Sequence, residues 1–265
     1  AWWRGRLEGA PALLELPTDR PRPRTPGSRG ATVLRALPGD AAGRLRALAR
    51  AEGATQFMVL LAALDVLLAR WADEDDVVVG TPIAGRTRVE TEGLIGFFAN
   101  TLALRADVSG NPTFGELLAR VRDVALGAYQ HQDVPFERLV EELGVERSLS
   151  HTPLFQVMFA TGEGDGAPRP FGGVAPEPFE AGGEMARYDL SVSVVDSEDG
   201  LVLGTSFREE LWNAATVERA ADAYALLLEA AAADPGRRVL DLPLATGAGR
   251  GRLLGEGGTG PGAPP

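Results

Sequence analysis

The chain has 265 residues, 45% hydrophobic and 24% charged, enough to bury the core of one large domain or two small ones. A formal net charge of -11 argues against nonspecific attraction to nucleic acid or anionic lipid. The absence of cysteine removes disulfides, thiolate nucleophiles and most zinc sites, and no apolar run reaches the roughly 18 residues that crossing a bilayer requires. The start, Ala1-Trp2-Trp3-Arg4, lacks both an initiator Met and the apolar stretch of a secretory signal, so a piece of a longer cytoplasmic chain is expected.

Residues 1–30 end in PTDRPRPRTPGSRG (Pro17 to Gly30), where repeated proline forbids helix and favours an extended, surface-hugging connector. A strand is predicted at Thr32 to Leu37, then a helix capped by Asp40 that runs to about Glu52 and stops at Gly53. Thr55 caps a second helix, Gln56 to about Trp71, apolar nearly all round and therefore buried on most sides. Asp65 inside it is expected on the one wet stripe, or capping a neighbouring group, rather than in catalysis. The acidic run Asp73 to Asp76 reads as a solvated turn before a short buried strand, Val77 to Gly80.

Phe98 to Arg105 reads as another strand. Thr113 and Glu116 form a capping box that opens an amphipathic helix to about Gln130, and Pro135 suits the first turn of a short helix that stops at Gly144. Phe155, Val157 and Phe159 alternate as a half-buried strand, and the Gly- and Pro-rich stretch Thr161 to Gly183 reads as a crossover or mobile loop. Strands Arg187 to Val195 and Leu201 to Arg208 flank a hairpin turn at Asp196 to Gly200, and a helix follows from Thr216 to Ala233. From about Gly247 the chain holds too much Gly and Pro to pack. Some six strands interleaved with five helices, hairpins included, predict an α/β sandwich on a mixed sheet.

Few side chains offer chemistry. Gly255 to Gly260 has the spacing of a dinucleotide fingerprint, but no strand leads into it and no helix follows. No GxSxG elbow occurs, and the two histidines, His131 and His151, belong to no metal-type cluster. His131 and Asp133 could act as a base and its orienting carboxylate. The stronger reading is architectural: His131 closes one helix, Asp133 caps the next, Phe136 plugs the core, and Glu137 occupies a first turn where the helix dipole favours an acid. Spacing alone leads no further than an α/β domain.

Several segments, in order, resemble condensation domains of nonribosomal peptide synthetases. TPIAGR (Thr81 to Arg86) follows a strand as it does in that family. GFFANTLALR (Gly96 to Arg105) resembles the fifth core motif, GxFVNT, with Ala99 in place of Val. HQDVPFE (His131 to Glu137) matches the sixth, and ERSLSHTPLFQVMF resembles the seventh, RDxSRNPL, at Arg147, Ser150, Pro153 and Leu154; Ser148, His151 and Thr152 depart from it. The start, WWRGRLEGAPALLELPTDRPRP, resembles the link between the two halves of such domains, and VLDLPLATGAGRGRLLGE resembles the segment leading towards an adenylation domain.

The resemblance implies a chloramphenicol-acetyltransferase-like lobe: residues 1–30 the inter-lobe connector, 31–246 the C-terminal lobe, 247–265 a linker towards an adenylation domain. Two such lobes would enclose a tunnel in which an acceptor amine attacks a donor thioester. Both substrates would ride on phosphopantetheine arms of donor and acceptor carrier proteins, with no cofactor bound directly. The family's HHxxxDG motif, which handles the amine proton, belongs to the N-terminal lobe, and this sequence has no HH pair. No catalytic residue and no inherent activity are therefore expected here. Asn100 is expected near the tunnel or holding strand neighbours, Arg147 bracing the Asp of HHxxxDG across the lobes, and the Arg86 to Glu92 loop flooring the tunnel. A silent condensation-like recruitment module and an epimerization-domain lobe are the alternatives; the aromatic pair Phe97-Phe98 suits condensation better than epimerization.

Overall fold

The computed structural model describes residues 1–37, 39–145, 148–163, 174, 184–197 and 200–245. Most of the loop expected after Thr161, and the Gly- and Pro-rich tail from Gly247, lie outside the described residues. Among those described, six strands form one sheet in the order β1-β6-β5-β4-β2-β3: β1 is Gly30–Ala36, β2 Asp76–Ile83, β3 Asn100–Asp107, β4 Val157–Glu163, β5 Leu190–Ser197 and β6 Gly200–Arg208. β4 runs parallel to both neighbours, β2 and β5, and the other pairings are antiparallel. The sheet is mixed, as the interleaving predicts.

Period-two alternation sorts each strand into two faces. Val33, Thr205, Val192, Phe159, Val79 and Leu104 share the inner face. The helices α2 (Ala41–Ala51), α3 (Gln56–Ala72), α5 (Phe114–Gln130) and α7 (Ala214–Ala233) pack with one another and with this layer. Phe57 of α3 lies 5.4 Å from Phe159, ring to ring. Thr55 accepts from the Met58 amide at 3.3 Å, and Thr113 and Glu116 exchange the two bonds of a capping box, so both long helices start where their sequences say. Gly144 ends α6 (Phe136–Leu143) at φ 63°, a left-handed turn that any β-carbon would strain.

Among the described residues, the opposite face is covered mainly at one end. There the Phe155 ring lies where a β-carbon on Gly80 would sit (2.2 Å), which makes glycine necessary in mid-strand. Across β1, β6, β5 and β4 the same face carries Thr32, Leu34, Gly204, Ser206, Ser191, Ser193 and Met158; Leu34 is 69% exposed, and most of the rest are half-buried.

Four expectations change. A helix, α1 (Trp2–Leu7), opens the chain, and Trp3, Leu7, Leu14 and Leu16 join the main core, so this surface segment is anchored by four buried side chains instead of being extended throughout. β3 starts at Asn100, two residues after the predicted start, which leaves Phe97 and Phe98 outside the strand. Asp76 belongs to β2 and pairs with Arg105 instead of ending a solvated turn. Asp65 is not on a wet stripe. It is 1% exposed in the middle of α3, its Oδ1 has no hydrogen-bond partner among the described residues, and burial pushes its carboxyl well above the usual range. The reason is that α3 is covered by α2, α5 and α7 together, which leaves that part of the helix no side facing water. No single helix among the described residues is long and apolar enough to cross a membrane.

The folded state holds a proton on Asp65 that the unfolded chain sheds above its ordinary pKa near 3.8. This group's contribution to stability is therefore complete below about pH 4 and is lost as pH rises towards the folded value. Asp65→Leu, close to isosteric, is expected to stabilise the protein by about 1–3 kcal/mol at pH 7. Thermal melts at pH 5 and pH 8 should show the gap from the natural chain widening with pH.

Candidate functional site

Asn100 opens β3, and its carboxamide reaches into the turn between α5 and α6. Nδ2 donates to the carbonyls of Gln132 and Val134 at 2.9 and 2.8 Å, and Oδ1 accepts from the Phe136 amide at 3.1 Å. Both donors and the oxygen are thus committed to backbone. The last of these bonds caps α6, whose first free amide Asp133 was expected to take. Asp133, Pro135 and Glu137 are exposed along the turn. Phe136 lies partly buried, 5.3 Å from Phe155, which in turn lies 5.6 Å from Tyr188.

His131 ends α5 as its sequence suggests, and its half-buried ring packs on Trp2. Nδ1 lies 2.9 Å from the Gly127 carbonyl, which fixes it as the protonated nitrogen. The Trp2 indole stacks on the imidazole at 4.7 Å and 5°, and Trp3 Nε1 donates to the His131 carbonyl at 2.9 Å. Gly127 is explained by the same contact. A glycine inside a helix costs about 1 kcal/mol relative to alanine, but a β-carbon there would fall 2.4 Å from the Trp2 ring.

The loop between β2 and β3 contains the short helix α4 (Val89–Glu92). Arg86 holds it by donating to the carbonyls of Thr91 and Glu92, and its guanidinium lies 4.4 Å from the Phe98 ring centre. Beyond this support the loop is open to solvent: Val89 is 79% exposed, Phe97 93%, and Leu94 and Ile95 are also exposed. Arg147 lies outside the described residues. Asn100 therefore joins the root of the β2–β3 loop to the 131–137 turn, and Arg86 steadies the loop itself. Among the described residues no three His, Asp or Glu side chains gather as metal ligands.

Two polar centres carry no local sequence signal. Asp189 is 2.7 Å from Arg22 Nη1 and 3.3 Å from Arg208 Nε; burial raises its carboxyl pKa, and the two arginines and His151 oppose the rise. Arg105 binds Asp76 with two nitrogens and also reaches carbonyls at the end of α1. Only the alternation that places Arg105 and Asp76 on one face of β3 and β2 could have suggested the second.

A mixed six-stranded sheet with helices packed on it, and a rigidly rooted apolar loop at one end, define the class as an α/β sandwich. The family model described as Condensation domain matches residues 1–254, and the chain belongs to that family. It is 45% identical to CymA of Salinispora arenicola, described as a probable non-canonical nonribosomal peptide synthetase, over 90% of this chain and 3% of that protein. It is 42% identical to phosphinothricin tripeptide synthetase PhsC of Streptomyces viridochromogenes, over 92% of this chain and 23% of that protein. The chain thus spans a small part of either relative. Among solved structures, the X-domain in its complex with OxyB from teicoplanin biosynthesis aligns with a TM-score of 0.86 and 32% identity, over 92% of this chain and 55% of that one. A four-domain nonribosomal peptide synthetase bound to AMP and glycine also gives 0.86 at 23% identity, over 94% of this chain and 20% of that one, which shows the fold alone.

Asn100→Ala removes three bonds to one turn and is expected to cost about 2–4 kcal/mol, with hydrogen exchange rising first at residues 132–136. A chemical melt with peptide-resolved exchange reads both.

Proposed function

We propose that this chain is the C-terminal half of a condensation domain and forms one wall and the floor of a cleft for amide-bond formation. The observation that carries the reading is the β2–β3 loop, which leaves Val89, Leu94, Ile95 and Phe97 in solvent on a firmly held base. Exposed apolar side chains so grouped point to a covering surface. The partner with the right extent is a second lobe, since this chain accounts for 55–56% of the length of the two X-domain chains it aligns with. The half-exposed face of β1, β6, β5 and β4 would then line the cleft.

In the reaction proposed, the acceptor amine attacks the carbonyl carbon of a donor thioester. A C–N bond forms, the C–S bond breaks, and the donor thiolate leaves and takes up the proton the amine gives away. Both substrates would be presented by carrier proteins on phosphopantetheine, with an adenylation domain beyond residues 247–265. No HH pair exists in the sequence, so the proton-handling histidine of HHxxxDG would come from the other lobe. Arg147 would brace that motif, and Arg86 and Asn100 would shape the cleft floor and hold the 131–137 turn beside it.

A second reading rests on the likeness to the X-domain, whose structure was solved in a complex with OxyB. On this reading the chain would help to recruit another enzyme rather than to react. An intact HHxxxDG in the partner lobe favours transfer, and a degraded one favours recruitment.

The decisive experiment mixes this chain with the missing lobe and two matched, loaded carrier proteins, and follows the acceptor-bound product by mass spectrometry. Product is expected from the two-lobe protein and none from this chain alone. Turnover by this chain alone, or a well-folded two-lobe protein that makes nothing from matched substrates, overturns the proposal.

A further inference from the structure

Arg105 divides its guanidinium between a carboxylate and a helix end. Nε and Nη2 meet the Asp76 carboxylate at 2.8 and 2.6 Å. Nη1 donates to the carbonyls of Arg6 and Glu8 at 3.0 and 2.9 Å, and Nη2 also reaches the Gly9 carbonyl at 3.3 Å. Those carbonyls belong to the last turn of α1 and the two residues after it, where a helix leaves acceptors unpaired and carries partial negative charge. A helix of six residues is too short to persist alone. Here it is held from outside at both ends, by Arg105 at the C-terminus and by the Trp2 and Trp3 contacts with His131 at the N-terminus. Strand register places Val78 opposite Arg105, so Asp76 lies one diagonal step away on the same face and aims the guanidinium.

We propose that Arg105 is a positioning residue that fixes the angle at which the polypeptide preceding Trp2 meets this sheet, and thereby the placement of the other lobe. The inference rests on the two-lobe reading above. Its second support is where the contacts fall: Arg105 pins α1 near one end of β3, while Asn100, at the other end, roots the exposed β2–β3 loop and the 131–137 turn. One strand therefore sets both the entry of the chain and the surface offered to the partner lobe, and the Asp76 pair keeps the two in fixed relation.

The test uses Arg105→Lys, which keeps the charge and loses the fork, and Asp76→Asn, which keeps the shape and loses the carboxylate; the second serves if the first does not fold. In the two-lobe protein, spin labels on each lobe report the inter-lobe distance, and loaded carrier proteins report transfer. Both variants are expected to broaden or shift that distance, to raise exchange at residues 2–9, and to lower kcat roughly tenfold to a hundredfold with KM for the acceptor carrier protein unchanged. Inter-lobe distances that match the unaltered protein overturn the proposal, whether turnover is normal or reduced. Should the unaltered two-lobe protein make no product, the amide-forming reading fails, while the distances and exchange still decide the role of Arg105.

Discussion

The Asn100 carboxamide connects parts of the chain more than thirty residues apart, and it does so at the one end of β3 where strand, loop and helix converge. Each of its bonds is worth about 1 kcal/mol net, yet leaving the Phe136 amide and two carbonyls unpaired would cost more than that arithmetic suggests. With the turn fixed, α6 starts at Phe136, that ring reaches Phe155, and Phe155 lies over Gly80 in the middle of β2, one strand in from the edge of the sheet. A single amide at a strand end thus determines how the 131–137 segment sits on the core.

The same logic recurs at other helix ends, where the cap comes from a remote part of the chain. Asp19 accepts the Asn213 amide at 2.7 Å and the Thr216 hydroxyl at 3.0 Å, so a residue of the proline-rich stretch closes the start of α7; these bonds hold its carboxyl below the usual range. Gln156, almost fully buried, donates to the Ala12 carbonyl and accepts from the Leu14 amide. Trp212 donates to the Pro17 carbonyl at 2.8 Å. These contacts explain why a segment rich in proline, which cannot form regular structure of its own, is nonetheless fastened to the ends of the helices and strands.

Much of the architecture was legible because its signals are local. Thr55 and Thr113 each sit one residue before a helix and cap it, Gly144 ends one in the left-handed region, and two alternating runs pair antiparallel from Leu190 opposite Phe207 to Ser197 opposite Gly200. What could not be read depends on partners distant in sequence. Asp133 had the right spacing to cap α6, but Asn100 reached the amide from β3. Asp65 looked wet because an isolated helix always has a solvent side; three neighbouring helices removed it. Asp76 looked like part of a charged turn until the register of β2 on β3 brought Arg105 beside it. The motif residues Asn100, His131 and Phe136 were recognisable as a set, while the bonds that give each its task needed the tertiary arrangement.

The order of strands in the sheet has a bearing on how the polypeptide reaches this state as it emerges from the ribosome. Among the described residues β1 pairs only with β6, about 170 residues later in the chain, and β2 waits for β4 to fill the centre. At ordinary rates of synthesis, about 5–20 residues per second, β1 stays an unpaired edge for roughly 10–30 s after it appears. Pairings so distant in sequence are slow to close and leave apolar strand faces open meanwhile. Nascent chains of this fold are therefore exposed to aggregation during that interval, until the β5–β6 hairpin arrives and zips the first strand into place.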